Sequence, residues 1–127
     1  MPATDRTTAV FALREQVRAF ITARDWDQFH SPKDLAIALS IEAAELLEHF
    51  RFRDDAEIAA RLATPEFRQD ISDELADVLY FVLAISNKLD IDLSTALESK
   101  MAVSARRYPV EKARGKNLKY TAYTDND

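Results

Sequence analysis

The sequence predicts an all-α protein, a four-helix bundle followed by a basic C-terminal arm. Three observations carry that expectation. Apolar residues recur at three- and four-residue spacing along most of the chain, no stretch alternates as a strand would, and serine, threonine and proline stand where helices would begin. No internal repeat is visible.

The first helix is expected from about Arg6 to Arg24, where Val10, Leu13, Val17, Phe20 and Ile21 fall on one face. The second opens at Ser31-Pro32-Lys33-Asp34: serine caps, proline suits the first turn, and aspartate faces the positive end of the helix dipole. It is expected to reach about Phe52. A polar connection follows, with a short helix over Asp55 to Leu62. Thr64-Pro65-Glu66 repeats the same opening chemistry and starts a long helix to about Leu89. The last helix runs from about Leu93 to Arg107 and is stopped by Tyr108-Pro109, because the residue before a proline is driven out of the helical region. Residues 1–109 are read as one domain and residues 110–127 as an extended basic arm.

Composition narrows the function classes. At 127 residues and 47% hydrophobic content the chain can bury a real core. Its longest apolar run, Val78 to Ile85, is far too short to span a bilayer, and the opening MPATDRTT lacks the apolar segment of a secretory signal. Cysteine is absent, which removes disulfides, thiolate nucleophiles and thiolate metal sites and suits a cytoplasmic setting. The only glycine is Gly115, so neither a Walker loop nor a dinucleotide-binding loop can be present. Any phosphate must then be held by metal, lysine or arginine. Between positions 100 and 119 seven basic residues stand against one acidic residue, although the whole chain carries a net charge of -5. Such a segment could be a nucleic-acid arm, a solvated tail or a phosphate clamp. Overall acidity argues against nucleic acid.

Two acidic signatures carry the chemistry. Glu42-Ala-Ala-Glu45 and Glu74-Leu-Ala-Asp77 each place two carboxylates three residues apart, on one face of a helix. A lone pair of this kind is ordinarily a solvated face. Here Ile37, Leu39, Ile41, Leu46, Leu47 and Phe50 flank the first pair, and Leu75, Val78, Leu79, Phe81, Val82 and Leu83 flank the second. Helices this apolar on all sides are expected to be buried. Four converging carboxylates roughly 5 Å apart would repel by about 3 kcal/mol per pair at an effective dielectric of about 20. A hard divalent cation with oxygen ligands resolves that conflict. Di-iron bundles use Glu-x-x-His, and neither His30 nor His49 falls in that pattern. The all-oxygen donor set points to magnesium, with manganese as a substitute.

The whole pattern resembles the all-α nucleoside triphosphate pyrophosphohydrolases, the MazG-like proteins, and within them the dCTP pyrophosphatase group. The resemblance rests on Glu-x-x-Glu, then Glu-x-x-Asp one helix later, with ARDWDQFHSP at Ala23 to Pro32, SKM at Ser99 to Met101, RRYP at Arg106 to Pro109 and KYT at Lys119 to Thr121. It implies a bundle that hydrolyses a deoxynucleoside triphosphate, dCTP or a 5-modified form, to monophosphate and pyrophosphate. Glu42, Glu45, Glu74 and Asp77 would bind magnesium; the chemistry, not the resemblance, asks for a carboxylate of the same cluster as general base, Glu45 or Glu48. Trp26 would stack on the base and His30 would touch base or phosphate. Lys100, Arg106, Arg107, Lys112 and Lys116 would be candidates for the triphosphate tail. The family's usual asparagine four residues after the lysine is Ser104 here, a common tyrosine is Phe81 beside Tyr80, and a polar position of the first helix is Val17. Those departures fall near sugar and base, so dUTP, a purine triphosphate or a phosphoribosyl nucleotide are rival substrates. A non-catalytic helical module with a structural cation is the third reading. The resemblance further implies a dimer or dimer of dimers, with neither nucleic acid nor membrane as partner.

Overall fold

A computed structural model describes residues 2–124. Those residues form six α-helices and two short 3-10 turns, and no strand occurs among them, so the all-α expectation holds. The helices are α1 (Val10–Ala23), α2 (Pro32–Glu48), α3 (Asp55–Leu62), α4 (Pro65–Leu89), α5 (Leu93–Arg107) and the single turn α6 (Val110–Ala113). Among the described residues no helix is long and apolar enough to cross a membrane. The chain divides into two compact units, residues 1–90 and residues 91–127.

In the first unit α4 is the organising helix. It packs most extensively against α2, then against α1 and α3. Its start is cut by Thr64, whose hydroxyl accepts from the Phe67 amide, with Pro65 in the first turn. Ser31 accepts from the Asp34 amide in the same way at the start of α2, and Asp54 accepts from the Glu57 amide before α3. The buried apolar core is small: Val17, Ile21, Leu35, Phe67, Leu83 and Ala84. A polar seam locks α1 onto α4. Asn87 accepts at Oδ1 from Arg14 Nε at 2.9 Å and Arg18 Nη2 at 3.1 Å, while its Nδ2 donates to the Arg14 carbonyl at 2.9 Å.

Two helix boundaries differ from the sequence reading, each for a local reason. The first helix starts at Val10 because Thr4 to Thr8 closes its own turn, with Thr7 and Thr8 amides on the Thr4 carbonyl and the Thr4 and Thr7 hydroxyls 2.7 Å apart. Hydroxyl side chains compete with helix bonding in this way. The second helix ends at Glu48 and not at Phe52: Arg53 donates to the His49 carbonyl, and Phe52 adopts φ 62, a left-handed conformation that no helix continues through.

Burial all round is also corrected. Ile37, Ile41 and Leu47 on α2, and Leu75 and Leu79 on α4, are between 45% and 59% exposed. Each helix covers one stripe of the other and leaves its outer stripe bare.

In the second unit Asp92 caps α5 by accepting from the Thr95 amide at 2.8 Å. The segment after Pro109 is less extended than expected. It contains α6 and a 3-10 turn at Tyr120–Ala122, and Tyr108 meets the rings of Tyr120 and Tyr123 edge-on at about 6 Å.

Candidate active site

The turn after α1 sets the position of Trp26. Asp25 takes φ 51, its amide bonds to the Thr22 carbonyl at 3.0 Å, and the Trp26 amide returns to the Ile21 carbonyl at 3.1 Å. That pair of bonds is a Schellman closure with aspartate in the left-handed place. Lys88 on α4 reaches Asp27 at 3.1 Å and ties this turn to the core. Trp26, 42% exposed, then meets Phe20 edge-on with centroids 5.7 Å apart. Phe20 meets Tyr80 at 6.1 Å, and Tyr80 meets Phe81 at 4.9 Å. Burial pushes the Tyr80 phenol up, so its hydroxyl stays neutral at ordinary pH.

These rings wall a cavity of about 470 Å³. Val17, Gln16 and His30 complete the wall, and Glu42 and Asp77 bring carboxylates into it. A cavity of that size suits a small ligand with an apolar body and a few polar contacts. His30 follows the 3-10 turn Asp27–Phe29, and its Nδ1 is buried with no hydrogen-bond partner.

Of the four carboxylates expected to converge on the facing helices, three gather. Glu42 and Glu45 of α2 and Glu74 of α4 can each offer an oxygen such that all three lie within 4.8 Å of one another. Glu42 Oε2 and Glu74 Oε2 are buried without a hydrogen-bond partner. The Glu42 carboxyl is raised from 4.5 to about 7, first by burial, then by a hydrogen bond with Glu45 and repulsion from Glu45, Asp77 and Glu74. Unpartnered buried oxygens and mutually repelling carboxylates are what a hard divalent cation would relieve, so this donor set fits one. Asp77 lies outside the trio but acts on Glu42 and shares the aromatic cavity with it. Glu48, at the last position of α2, is exposed and paired with Arg51 at 2.9 Å.

Sequence reasoning missed two neighbours of this site. His49 Nε2 stands 3.6 Å from Glu74 Oε1, both side chains largely covered. The signal was present, since Glu42, Glu45 and His49 follow an i, i+3, i+7 stripe. Gln16, one turn before Phe20 on α1, was the other.

The basic candidates belong to the second unit. Lys100, Ser104 and Arg107 fall on one face of α5 by their spacing, and the Arg107 guanidinium lies 4.9 Å over the Tyr120 ring. Lys112 lies on α6, its amide on the Pro109 carbonyl, and Lys116 follows, its amide on the Ala113 carbonyl.

Comparison with known proteins bears on the family and the fold. The MazG-like family model matches residues 37–122. The chain is 41% identical over 102 residues to dCTP pyrophosphatase 1 of Rattus norvegicus and 40% identical to that of Homo sapiens. In both cases 80% of this chain is covered, and it spans 60% of the relative's length. The crystal structure of a pyrophosphatase from Archaeoglobus fulgidus DSM 4304 superposes with a TM-score of 0.74 at 32% identity, covering 85% of this chain and 99% of that one. With the acidic trio, the Trp26 turn and these similarities together, the chain belongs to the MazG-like family.

Proposed function

We propose that the protein is a magnesium-dependent nucleoside triphosphate pyrophosphohydrolase that converts dCTP or a 5-modified dCTP to the monophosphate and pyrophosphate and so clears it from the nucleotide pool. One observation carries the reading: Glu42 belongs both to the acidic trio and to the aromatic cavity, so a base among the rings would present its phosphates to the carboxylates. The names of the similar proteins support the chemistry.

When bound, a divalent cation such as magnesium or manganese supplies charge neutralisation at the phosphates and a template for in-line attack by water. Glu42, Glu45, Glu74 and Asp77 are the residues proposed to hold it. Trp26 stacks on the base, an interaction worth about 1 to 3 kcal/mol, with Phe81 and His30 closing around it. Of the two candidate bases Glu45 is preferred, because it sits in the trio while Glu48 is engaged by Arg51 outside it. The assignment of Lys100, Ser104, Arg107, Lys112 and Lys116 to substrate rests on the sequence resemblance.

The test is incubation with dCTP, 5-methyl-dCTP, dUTP, dATP and dGTP plus magnesium, with products separated by chromatography. Monophosphate and pyrophosphate should appear, fastest from the cytosine nucleotides. Faster turnover of dUTP or a purine would change the substrate and keep the chemistry. No turnover of any triphosphate in the panel would leave a phosphoribosyl nucleotide as substrate or the non-catalytic module.

A second prediction follows from the bare stripes of α2 and α4. Contiguous apolar surface of this kind is normally covered, and a two-fold contact with a second copy is the commonest cover. Light scattering at micromolar protein should give the mass of a dimer or of a dimer of dimers, and Ile41→Asp should shift it toward the monomer. A wild-type protein that is monomeric and fully active refutes the assembly.

A further inference from the structure

The aromatic cavity holds one side chain whose chemistry the proposed reaction does not use. Gln16 projects from α1 one turn before Phe20 and lines the cavity with Trp26 and Tyr80. Gln16 is exposed and among the described residues its carboxamide has no hydrogen-bond partner, so both its donor and its acceptor are available. The other polar groups of the cavity offer less: the unpartnered Nδ1 of His30 is one nitrogen, a donor or an acceptor but not both at once. Glu42 and Asp77 belong to the acidic end, and the neutral Tyr80 hydroxyl presents a single rotating O–H. A primary carboxamide is the one group present that offers an N–H donor and a C=O acceptor side by side at fixed spacing.

A pyrimidine base has the complementary feature. Along the edge carrying positions 3 and 4, cytosine places a ring-nitrogen acceptor beside an amino donor. Single unstacked bases are recognised in this way, by an aromatic on the ring face and hydrogen bonds to the pairing edge. Resting on the proposed pyrophosphohydrolase reading, we propose that Gln16 is the specificity-determining residue, its amide N–H donating to cytosine N3 and its carbonyl accepting from the 4-amino group while Trp26 covers the ring. Two consequences follow from the geometry of that edge. Substituents at position 5 lie off it and are tolerated. Uracil, with donor and acceptor exchanged, is met only after the amide turns over, so it is the nearest competitor.

The test compares wild type with Gln16→Leu on dCTP, 5-methyl-dCTP, dUTP and the triphosphate of deoxyribosyl pyrimidin-2-one, which keeps N3 but lacks the 4-amino group. Leucine keeps the aliphatic bulk as far as Cδ, favours a helix and removes both hydrogen-bonding groups. Wild type is expected to prefer dCTP over the pyrimidin-2-one nucleotide by about tenfold, the value of one neutral hydrogen bond. In Gln16→Leu, kcat/KM for dCTP falls about ten- to a hundredfold, mainly through KM, and the preference between the two nucleotides falls toward one. Gln16→Asn, which restores the amide on a shorter stem, recovers part of the preference. An active enzyme whose Gln16→Leu variant keeps the wild-type base preference overturns the proposal and leaves the hydrolase reading standing.

Calorimetric binding of dCMP separates the two ideas if turnover is absent. Binding lost in Gln16→Leu keeps the base-reading role and discards the hydrolase. Binding unchanged in that variant, or absent from wild type as well, discards the role of Gln16.

Discussion

Glu42→Gln is expected to lower turnover at saturating magnesium and nucleotide by about a hundredfold or more, while the metal-free protein melts no lower than wild type. The two halves have opposite physical causes. Glu42 is the carboxylate common to the trio and the cavity, with Oε2 buried and unpartnered. Glutamine keeps its shape but withdraws the charge, and a neutral amide oxygen is a far weaker ligand for a hard cation. Without metal the same change relieves repulsion from Glu45, Asp77 and Glu74 and removes the burial cost of an ion. A structural residue would behave the other way, losing stability and activity together. Steady-state rates and thermal melts in a chelator decide it, and a variant that keeps more than a tenth of the wild-type rate removes the trio from the mechanism. Asp77→Ala, outside the trio, should show the same separation and tests whether the fourth carboxylate belongs to the site.

The parts of the structure that could be read in the sequence are those fixed by local chemistry. The limits of α3, α4 and α5 follow from caps and prolines within a few residues of each end, and these stand at the expected places. The end of α2 depends on Phe52 taking φ 62 and on Arg53 reaching back to His49, neither of which hydrophobic spacing records. The acidic trio was visible because three-residue spacing on two helices leaves little choice of face. The cavity beside it was not. Phe20 and Tyr80 stand on separate helices, and they become one wall only when the Asn87 seam sets α1 against α4. Gln16 gave no signal, since a single exposed glutamine on a helix is ordinary. The apolar flanks of the acidic pairs suggested full burial, but a sequence pattern cannot say whether the covering surface lies in the same chain. Among the described residues Ile37, Ile41 and Leu79 are left uncovered.

Magnesium is expected to raise the melting temperature, and by more at about pH 8 than at about pH 5.5. A ligand that binds only the folded state stabilises it by about 2.7 kcal/mol at a hundredfold excess over its dissociation constant. The pH dependence comes from Glu42, whose carboxyl moves from 4.5 in the unfolded chain to about 7 in the metal-free fold, chiefly through burial. Between those two values the folded protein holds a proton that the unfolded chain has released. The contribution of this group to metal-free stability is therefore complete below pH 4.5, declines as the pH rises through the window, and is gone above about pH 7. Metal needs the same carboxylate ionised, so its binding strengthens as the proton leaves. The melting curves with chelator and with magnesium should accordingly lie close together at the acid end and separate toward neutrality. Glu42→Gln removes the titrating group and should flatten the metal-free dependence. A magnesium shift of equal size at both pH values would show that the cation binds without displacing a proton from Glu42, and the site would then have to be placed elsewhere.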